Sequence, residues 1–247
     1  MAVVGAAYAV AAVIAVSGGW LGGGGAFGGG GGGGGGGAWG GGAWPGWVAA
    51  LAEYLWVLWP LGVGAVVAAW VGGRGVGGGS GGARSAARVR RALGLRFRGI
   101  DILLGLLVAM VVRALVEVAF PTTGSLLPAF AETEADRVAT ALVFALGSVL
   151  LVPFVEEIFF RGALQRALQQ VAGNGAGAGV LAVAVTTLLF VLLHALPYGA
   201  SVPVSVLLPP LLVGIGAGVL TVLTGRIGAA LVTHVLFNLA GIALVAL

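Results

Sequence analysis

The stretch FVEEIFFRGAL, residues 154–164, places two adjacent glutamates and an arginine inside an otherwise apolar part of the chain. Charged residues make up 8% of the 247 residues, whereas a soluble domain contains about 25%. Hydrophobic residues make up 60%. This composition indicates an integral membrane protein. Charges at membrane depth are costly, so this cluster points to a pairing or to a functional site.

The chain has no cysteine, which excludes disulfides and cysteine-ligated haem or iron–sulfur groups. All twelve basic residues are arginines, and seven of them lie between Arg74 and Arg98. A basic block beside an apolar span marks the cytoplasmic side of a membrane protein and is able to contact anionic lipid. We therefore expect the lipid bilayer as a partner, no nucleic acid, and a cytoplasmic position for residues 73–99.

Apolar segments long enough to cross a bilayer recur along the chain. We predict six spans, at residues 47–72, 100–120, 137–170, 180–197, 203–224 and 227–247, with residues 1–17 as a candidate seventh. At about 1.5 Å per residue the third span would be about 50 Å long, so it should tilt or project from the ~30 Å hydrocarbon core. The expected fold is all-α, a polytopic transmembrane helical bundle with a polar intramembrane cavity.

Residues 18–46 are dominated by glycine, with an unbroken run from Gly28 to Gly37. Glycine loses the most backbone entropy on ordering, so this composition predicts a flexible linker. We divide the chain into an N-terminal hydrophobic segment with this linker, one helix with the basic cytoplasmic loop, and a core region, at residues 1–46, 47–99 and 100–247.

Both histidines and one of the two asparagines lie inside apolar helical segments, FVLLH at 190–194 and HVLFN at 234–238. Because residues four apart share a helix face, Asn238 should project beside His234. In a hairpin closed by the glycine-rich turn at 173–179, Glu156 and His194 reach similar depth. The spacing therefore allows Glu156, both histidines and Asn238 to meet in one polar pocket.

The two glutamates are expected to play different parts. Glu157 and Arg161 are four residues apart and can form an ion pair. Glu156 points about 140° away from Arg161 around the helix. It is therefore outside this ion pair and available for a catalytic role. A carboxylate in an apolar site suits a general base, and histidine and amide donors can stabilise an oxyanion. Water, a base and oxyanion donors are what amide hydrolysis requires.

Three short motifs occur in order on hydrophobic helices: EExxxR at 156–161, FxxxH at 190–194 and HxxxN at 234–238. Together they resemble the CPBP family of intramembrane proteases. That family contains the type II CAAX prenyl endopeptidases and bacterial bacteriocin-processing and self-immunity proteins. The resemblance covers residues 100–247 and leaves out the glycine-rich N-terminal part.

The resemblance implies roles for seven residues: catalytic Glu156, His194, His234 and Asn238, and supporting Glu157, Arg161 and Phe190. Glu156 with His194 would activate the water, and His234 with Asn238 would form the oxyanion hole. No metal or other cofactor is implied, and the substrate would be a peptide or a membrane protein. The expected location is a bacterial inner or plasma membrane, crossed several times. No oligomeric state is predicted.

Three alternatives stay open at this stage. A zinc-dependent membrane protease could use two histidines and a glutamate, although the chain has no HExxH motif. A non-enzymatic membrane protein could confer bacteriocin immunity or act as a scaffold. A transporter could use the polar residues as a proton relay, but the sequence shows no repeated halves, which are common in transporters.

Overall fold

The computed structural model describes residues 45–74, 87, 89–123, 134–173 and 175–246. These residues form six long helices, each apolar enough to cross a membrane: α1 Gly46–Arg74, α2 Gly99–Ala119, α3 Glu134–Ala172, α4 Ala176–Ala195, α5 Val204–Thr224 and α6 Gly228–Ala246. The described part of the chain contains no β-strand. The predicted all-α bundle of a multi-pass membrane protein is therefore confirmed.

The helix ends lie close to the predicted ones. Gly173, with φ 98°, ends α3, and Gly225, with φ 65°, ends α5. Both take a positive φ that glycine adopts without steric cost. A short 3₁₀ turn at Leu196–Tyr198 follows α4. The candidate span at 1–17 and nearly all of the glycine-rich linker lie outside the described residues.

The long third span is a single helix, as predicted, but two π-helical segments interrupt its α geometry. They cover Gly147–Leu151 and Ile158–Leu164. Pro153 supplies a physical reason for the first, because it has no amide hydrogen to donate and disturbs the preceding turn. The Val152 amide bonds the carbonyl of Gly147, five residues back. The sequence predicted one long helix here but did not indicate the two π segments.

Helix α3 forms the centre of the bundle. Every residue from Phe159 to Gln165 is buried, so neighbours cover this helix on all sides. Helix α1 packs along it, and α4, α5 and α6 contact its central part. The largest group of buried apolar side chains surrounds this stretch and includes Leu58, Leu61, Phe159, Phe160, Phe190, Val213 and Phe237. The polar groups of α3 must therefore find partners within the protein.

Small residues let neighbouring helices approach closely. Gly214 and Gly218 lie one turn apart on α5, and an added methyl group would overlap Thr187 at the first and touch Val183 at the second. This is the small-xxx-small pattern of membrane helix pairs. On the other side of the bundle, the Thr233 hydroxyl of α6 donates to the carbonyl of Gly105 on α2 at 3.3 Å.

A buried ion pair fastens the start of α2 to the turn between α5 and α6. Arg226 donates to both carboxylate oxygens of Asp101, at 2.6 and 3.2 Å, and the Arg98 amide donates to the same carboxylate at 2.8 Å. The hydrogen bonds that Arg226 donates to Asp101 raise the pKa of Arg226 above its ordinary value. Asp101 is fully buried, so its charge depends on these three donors.

The Asp101→Ala variant tests this ion pair. We expect a loss of about 1.5–3 kcal/mol of stability, because the variant removes hydrogen bonds to a charged group. Thermal unfolding in detergent measures the loss. The matched control is Glu134→Ala, which removes an exposed pair with Arg137 at 3.6 Å and should cost about 0–1 kcal/mol. Equal losses in the two variants would contradict the account.

Candidate functional site

Glu156 and Glu157 end the short α-helical stretch between the two π segments. Both are buried, at 5% and 0% exposure. Adjacent helical residues normally point about 100° apart, so a helix at the bundle's edge would bury one and expose the other. Both are buried here because α1 and α6 pack against this short stretch. Two carboxylates at this depth require compensation by cations or hydrogen bonds.

Glu157 is compensated within its own helix. The Nε of Arg161 lies 3.4 Å from its Oε2, and neither side chain is exposed to solvent. The Arg161 guanidinium also stacks 4.7 Å from the centre of the Phe190 ring and donates to the carbonyl of Gly214 at 3.4 Å. The pair that the four-residue spacing predicts is thus present, and it joins α3 to α4 and α5.

His234 of α6 lies between the two carboxylates. Its Nδ1 is 3.0 Å from Oε1 of Glu157, and its Nε2 is 3.7 Å from Oε2 of Glu156. The imidazole is 4% exposed. Because an ionised Glu157 can only accept, Nδ1 carries a hydrogen and donates it. This contact fixes the ring so that Nε2 faces Glu156.

Glu156 differs from its neighbour in the charges around it, although Oε2 of each glutamate is buried without a hydrogen bond among the described residues. The Nε2 of His234 lies 3.7 Å from Oε2 of Glu156. Glu157 has both Arg161 and His234. The two adjacent glutamates are therefore unequal, because among the described residues Glu157 is paired with an arginine and Glu156 is not.

His194 is linked to this cluster by the aromatic ring of Phe190, which contacts both histidines. The Phe190 ring contacts the His194 ring, with centroids 4.5 Å apart, and the His234 ring, with centroids 5.7 Å apart. The Nδ1 of His194 donates to the carbonyl of Phe190 at 2.9 Å. A neutral His194 then has its lone pair on Nε2, which can accept a hydrogen bond. In the described residues, no direct hydrogen bond joins the two histidines.

Asn238 lies on the same side of α6 as His234 and also faces α3. Its amide donates to the carbonyl of Ser148 at 2.7 Å. That carbonyl lies in the first π segment, where the donor five residues ahead would be Pro153. Proline has no amide hydrogen. Asn238 therefore satisfies a carbonyl that the helix cannot satisfy itself, and its second amide hydrogen is not used in this contact.

The cluster lies near the middle of the membrane span. Arg166, which bonds the Gly225 carbonyl at the end of α5, is ten residues after Glu156. Ten residues of helix measure about 15 Å, half of the ~30 Å hydrocarbon core. Any reaction at Glu156 would thus take place at membrane depth.

Two polar residues that the sequence analysis did not single out lie beneath the ion pair. Gln165 donates to the Gly218 carbonyl at 2.9 Å, one turn below the contact of Arg161 with Gly214. Thr187 of α4 is buried against Gly214. The sequence does contain a pattern that indicates Gln165, because this residue continues the four-residue spacing of Glu157 and Arg161. No comparable pattern marks Thr187.

A cavity of about 590 Å³ lies beside the cluster, between α1, α3 and α6. Its walls are apolar, formed by Leu51, Tyr54, Val143, Leu146, Gly147, Leu150, Leu151, Phe154, Leu231 and Val235. Leu150 and Phe154 are about half exposed, at 52% and 50%. Val235 directly follows His234 in the chain. The sequence predicted a polar cavity, whereas the polar cluster is packed and the cavity next to it is apolar.

No group of three histidine, aspartate or glutamate side chains within the described ranges is arranged to hold a metal ion. Glu156, Glu157 and His234 do come together, but Arg161 already neutralises Glu157. The zinc-dependent alternative stays a hypothesis.

Comparison with known proteins gives one match. Residues 138–240 match the model of the family described as type II CAAX prenyl endopeptidase, Rce1-like. The match contains all seven residues named from the motifs. It lends no support to a metal-dependent enzyme or to a bacteriocin-immunity protein. No curated protein and no solved structure matches the chain. Residues 138–240, which lie in α3 to α6, are thus similar to the family of Rce1-like type II CAAX prenyl endopeptidases.

Proposed function

We propose that the protein is a metal-independent intramembrane endopeptidase that uses Glu156 as the general base. The observation that carries the proposal is the inequality of the two glutamates. Glu157 lies 3.4 Å from Arg161 and 3.0 Å from His234, whereas the buried Oε2 of Glu156 has no arginine paired with it among the described residues and lies 3.7 Å from the His234 ring. A water molecule bound to that oxygen would be in position to lose a proton to it.

The position of its ring supports a role for His234 as an oxyanion donor with a hydrogen on each ring nitrogen. Its Nδ1 hydrogen is used by Glu157, and its Nε2 hydrogen points toward Glu156. A donor in that place can stabilise negative charge on a substrate oxygen beside the attacking water. The second amide hydrogen of Asn238 is the other proposed donor.

The proposed reaction has two steps. In the first, the water oxygen bonds to the peptide carbonyl carbon and its proton passes to Glu156, with His194 Nε2 accepting a hydrogen bond from the water. The carbonyl oxygen becomes an oxyanion held by His234 and Asn238. In the second, the oxyanion collapses, the carbon–nitrogen bond breaks, and Glu156 returns the proton to the leaving nitrogen. Phe190, Glu157 and Arg161 hold the rings and carboxylates in place.

The location and the substrate path are parts of the same proposal. The described arginines of residues 89–98 lie at one end of the bundle, which we assign to the cytoplasm of a bacterial inner or plasma membrane. The apolar cavity beside the cluster would accept an apolar segment of a peptide or membrane-protein substrate, since its lining is apolar and borders His234 through Val235.

The Glu156→Gln variant tests the general base. We expect cleavage of a quenched peptide library to fall by about 10²–10⁴-fold, the usual contribution of general-base catalysis, while the variant stays folded. The assay uses purified protein in detergent with a strong chelator present. Glu134→Gln, at an exposed position, serves as the control and should cleave like the wild type. If the chelator alone abolished wild-type cleavage, the enzyme would be metal-dependent.

The Glu157→Gln variant tests the positioning of His234. We expect kcat to fall by about 10–100-fold, because a small misplacement of a catalytic group has effects of that order. The matched control is Glu117→Gln, which removes the acid from another four-residue Arg–Glu pair, with Arg113, on α2 and not on α3. Similar losses in both variants would show that any membrane ion pair matters equally.

The Leu150→Trp variant tests the apolar cavity as a substrate path. The larger ring would occupy part of the cavity, so KM should rise at least about tenfold if the lost contacts amount to roughly 1.4 kcal/mol, with kcat little changed. Leu181→Trp is the control, since Leu181 is similarly exposed at 54% but lies on α4, outside the cavity lining. An unchanged KM in Leu150→Trp would exclude this path.

A further inference from the structure

One end of the bundle carries a large excess of positive charge within the described residues. Six arginines and one aspartate lie there, which leaves five positive charges: Arg90, Arg91, Arg96, Arg98, Arg166 and Arg226 against Asp101. The carboxylate of Asp101 already accepts from Arg226 and from the Arg98 amide. No carboxylate in the described part of the chain pairs with the others. Arg90, Arg91 and Arg96 are exposed, so their side chains are available to an external anion.

Three of these arginines surround one small cavity. The cavity measures about 210 Å³ and is lined by Ala87, Arg90, Arg91, Leu95 and Arg96. A guanidinium presents paired donors that match the oxygens of a phosphate. A single phosphate group fits a cavity of this size, and three guanidinium groups would hold it more tightly than one.

The backbone around the cavity is fixed by a regular helix end. The Leu95 amide bonds the Arg90 carbonyl at 2.8 Å, and the Gly94 amide bonds the Arg91 carbonyl at 3.2 Å. These are the two hydrogen bonds of a Schellman motif, with Gly94 at its usual left-handed position, φ 63°. The carbonyls near the cavity are thus satisfied internally, and the arginine side chains are the groups left to bind a ligand.

The cavity lies where the protein surface changes from apolar to charged. Phe97, Ile100 and Leu103 follow it and are strongly exposed, at 57%, 50% and 63%. Exposed apolar side chains at the start of a spanning helix face lipid tails, so the arginines just before them lie at headgroup level. A phosphate at this level is available from the lipids themselves.

The cavity is also joined to the helix that carries the glutamates. Leu93 is buried at 5%, and its carbonyl lies 3.0 Å from where a Cβ of Gly162 would be. Gly162 directly follows Arg161. The Arg166 side chain packs against Gly94 so closely that no side chain larger than hydrogen fits there. An anion that orders this turn would therefore stabilise α3 as well.

We propose that the cavity between Arg90, Arg91 and Arg96 binds the phosphate of an anionic phospholipid and that this binding stabilises the bundle. The site is separate from the glutamate–histidine cluster, and it does not depend on the protein being a protease.

Thermal unfolding of the full chain in neutral detergent tests the proposal, with added phosphatidylglycerol, phosphatidylcholine or inorganic phosphate. We expect phosphatidylglycerol to raise Tm by about 2–4 °C, the shift that roughly 1 kcal/mol produces in a protein of this size, and phosphatidylcholine to have no such effect because its headgroup has no net charge. Arg96→Gln should abolish the shift. The charge-matched control Arg137→Gln, at the other end of the bundle, should retain it. Arg90→Gln replaces Arg96→Gln if the latter does not fold.

Each other outcome overturns the proposal. Equal shifts with the two lipids would mean that the lipid charge is not recognised. An equal shift with inorganic phosphate would mean that the ligand is a free anion and not a lipid. A full shift in both cavity variants would place the lipid elsewhere. Since none of these measurements requires substrate cleavage, they give a result whether or not the proposed catalytic function is correct.

Discussion

The contact of Glu157 with Arg161 and His234 is the constraint on which the rest of the site depends. It places a carboxylate with 0% exposure in the centre of an apolar bundle, where an unpaired charge would be very costly. The three side chains belong to α3 and α6, and Arg161 extends the contact to α5 through the Gly214 carbonyl. Loss of one partner would leave another charge buried and unpaired, at a cost of about 3–5 kcal/mol.

Irregular backbone makes these contacts possible. A regular α-helix satisfies its own carbonyls and offers few of them to other helices. In α3, the π segment before Pro153 leaves the Ser148 carbonyl for Asn238. In α5, Gly214 and Gly218 expose their carbonyls to Arg161 and Gln165. π segments are frequent at functional sites, and here both of them flank the two glutamates.

Much of the fold could be predicted from the sequence, because a membrane span has to be both long and apolar, and both properties are local. The pair of Glu157 with Arg161 was also predictable, since it lies within one helix. The bridge of His234 to Glu157 spans 77 positions, and that of Arg226 to Asp101 spans 125. Such contacts depend on how helices pack, which local spacing does not determine.

The predicted depth of each polar residue in the membrane gave the arrangement of the cluster only in part. It grouped Glu156, His194 and His234 correctly in one region of the bundle, but the ring beside His234 is that of Phe190, and His194 lies on its other side. Regular α-helical periodicity places Glu156 on a different face of α3 from the ion pair. The two π segments change the direction of the α3 side chains and so reduce this separation. Pro153 was the signal that this helix could not be regular.

Chemical rescue tests the central claim most directly, namely that Glu156 removes the proton from the attacking water. Glu156→Ala and Glu157→Ala are assayed for peptide cleavage with and without formate, a carboxylate small enough to enter the space left by the side chain. The account predicts that formate restores part of the cleavage in Glu156→Ala and none in Glu157→Ala, where the lost carboxylate positions His234. Rescue of Glu157→Ala alone, or unimpaired cleavage by Glu156→Ala, would contradict the account.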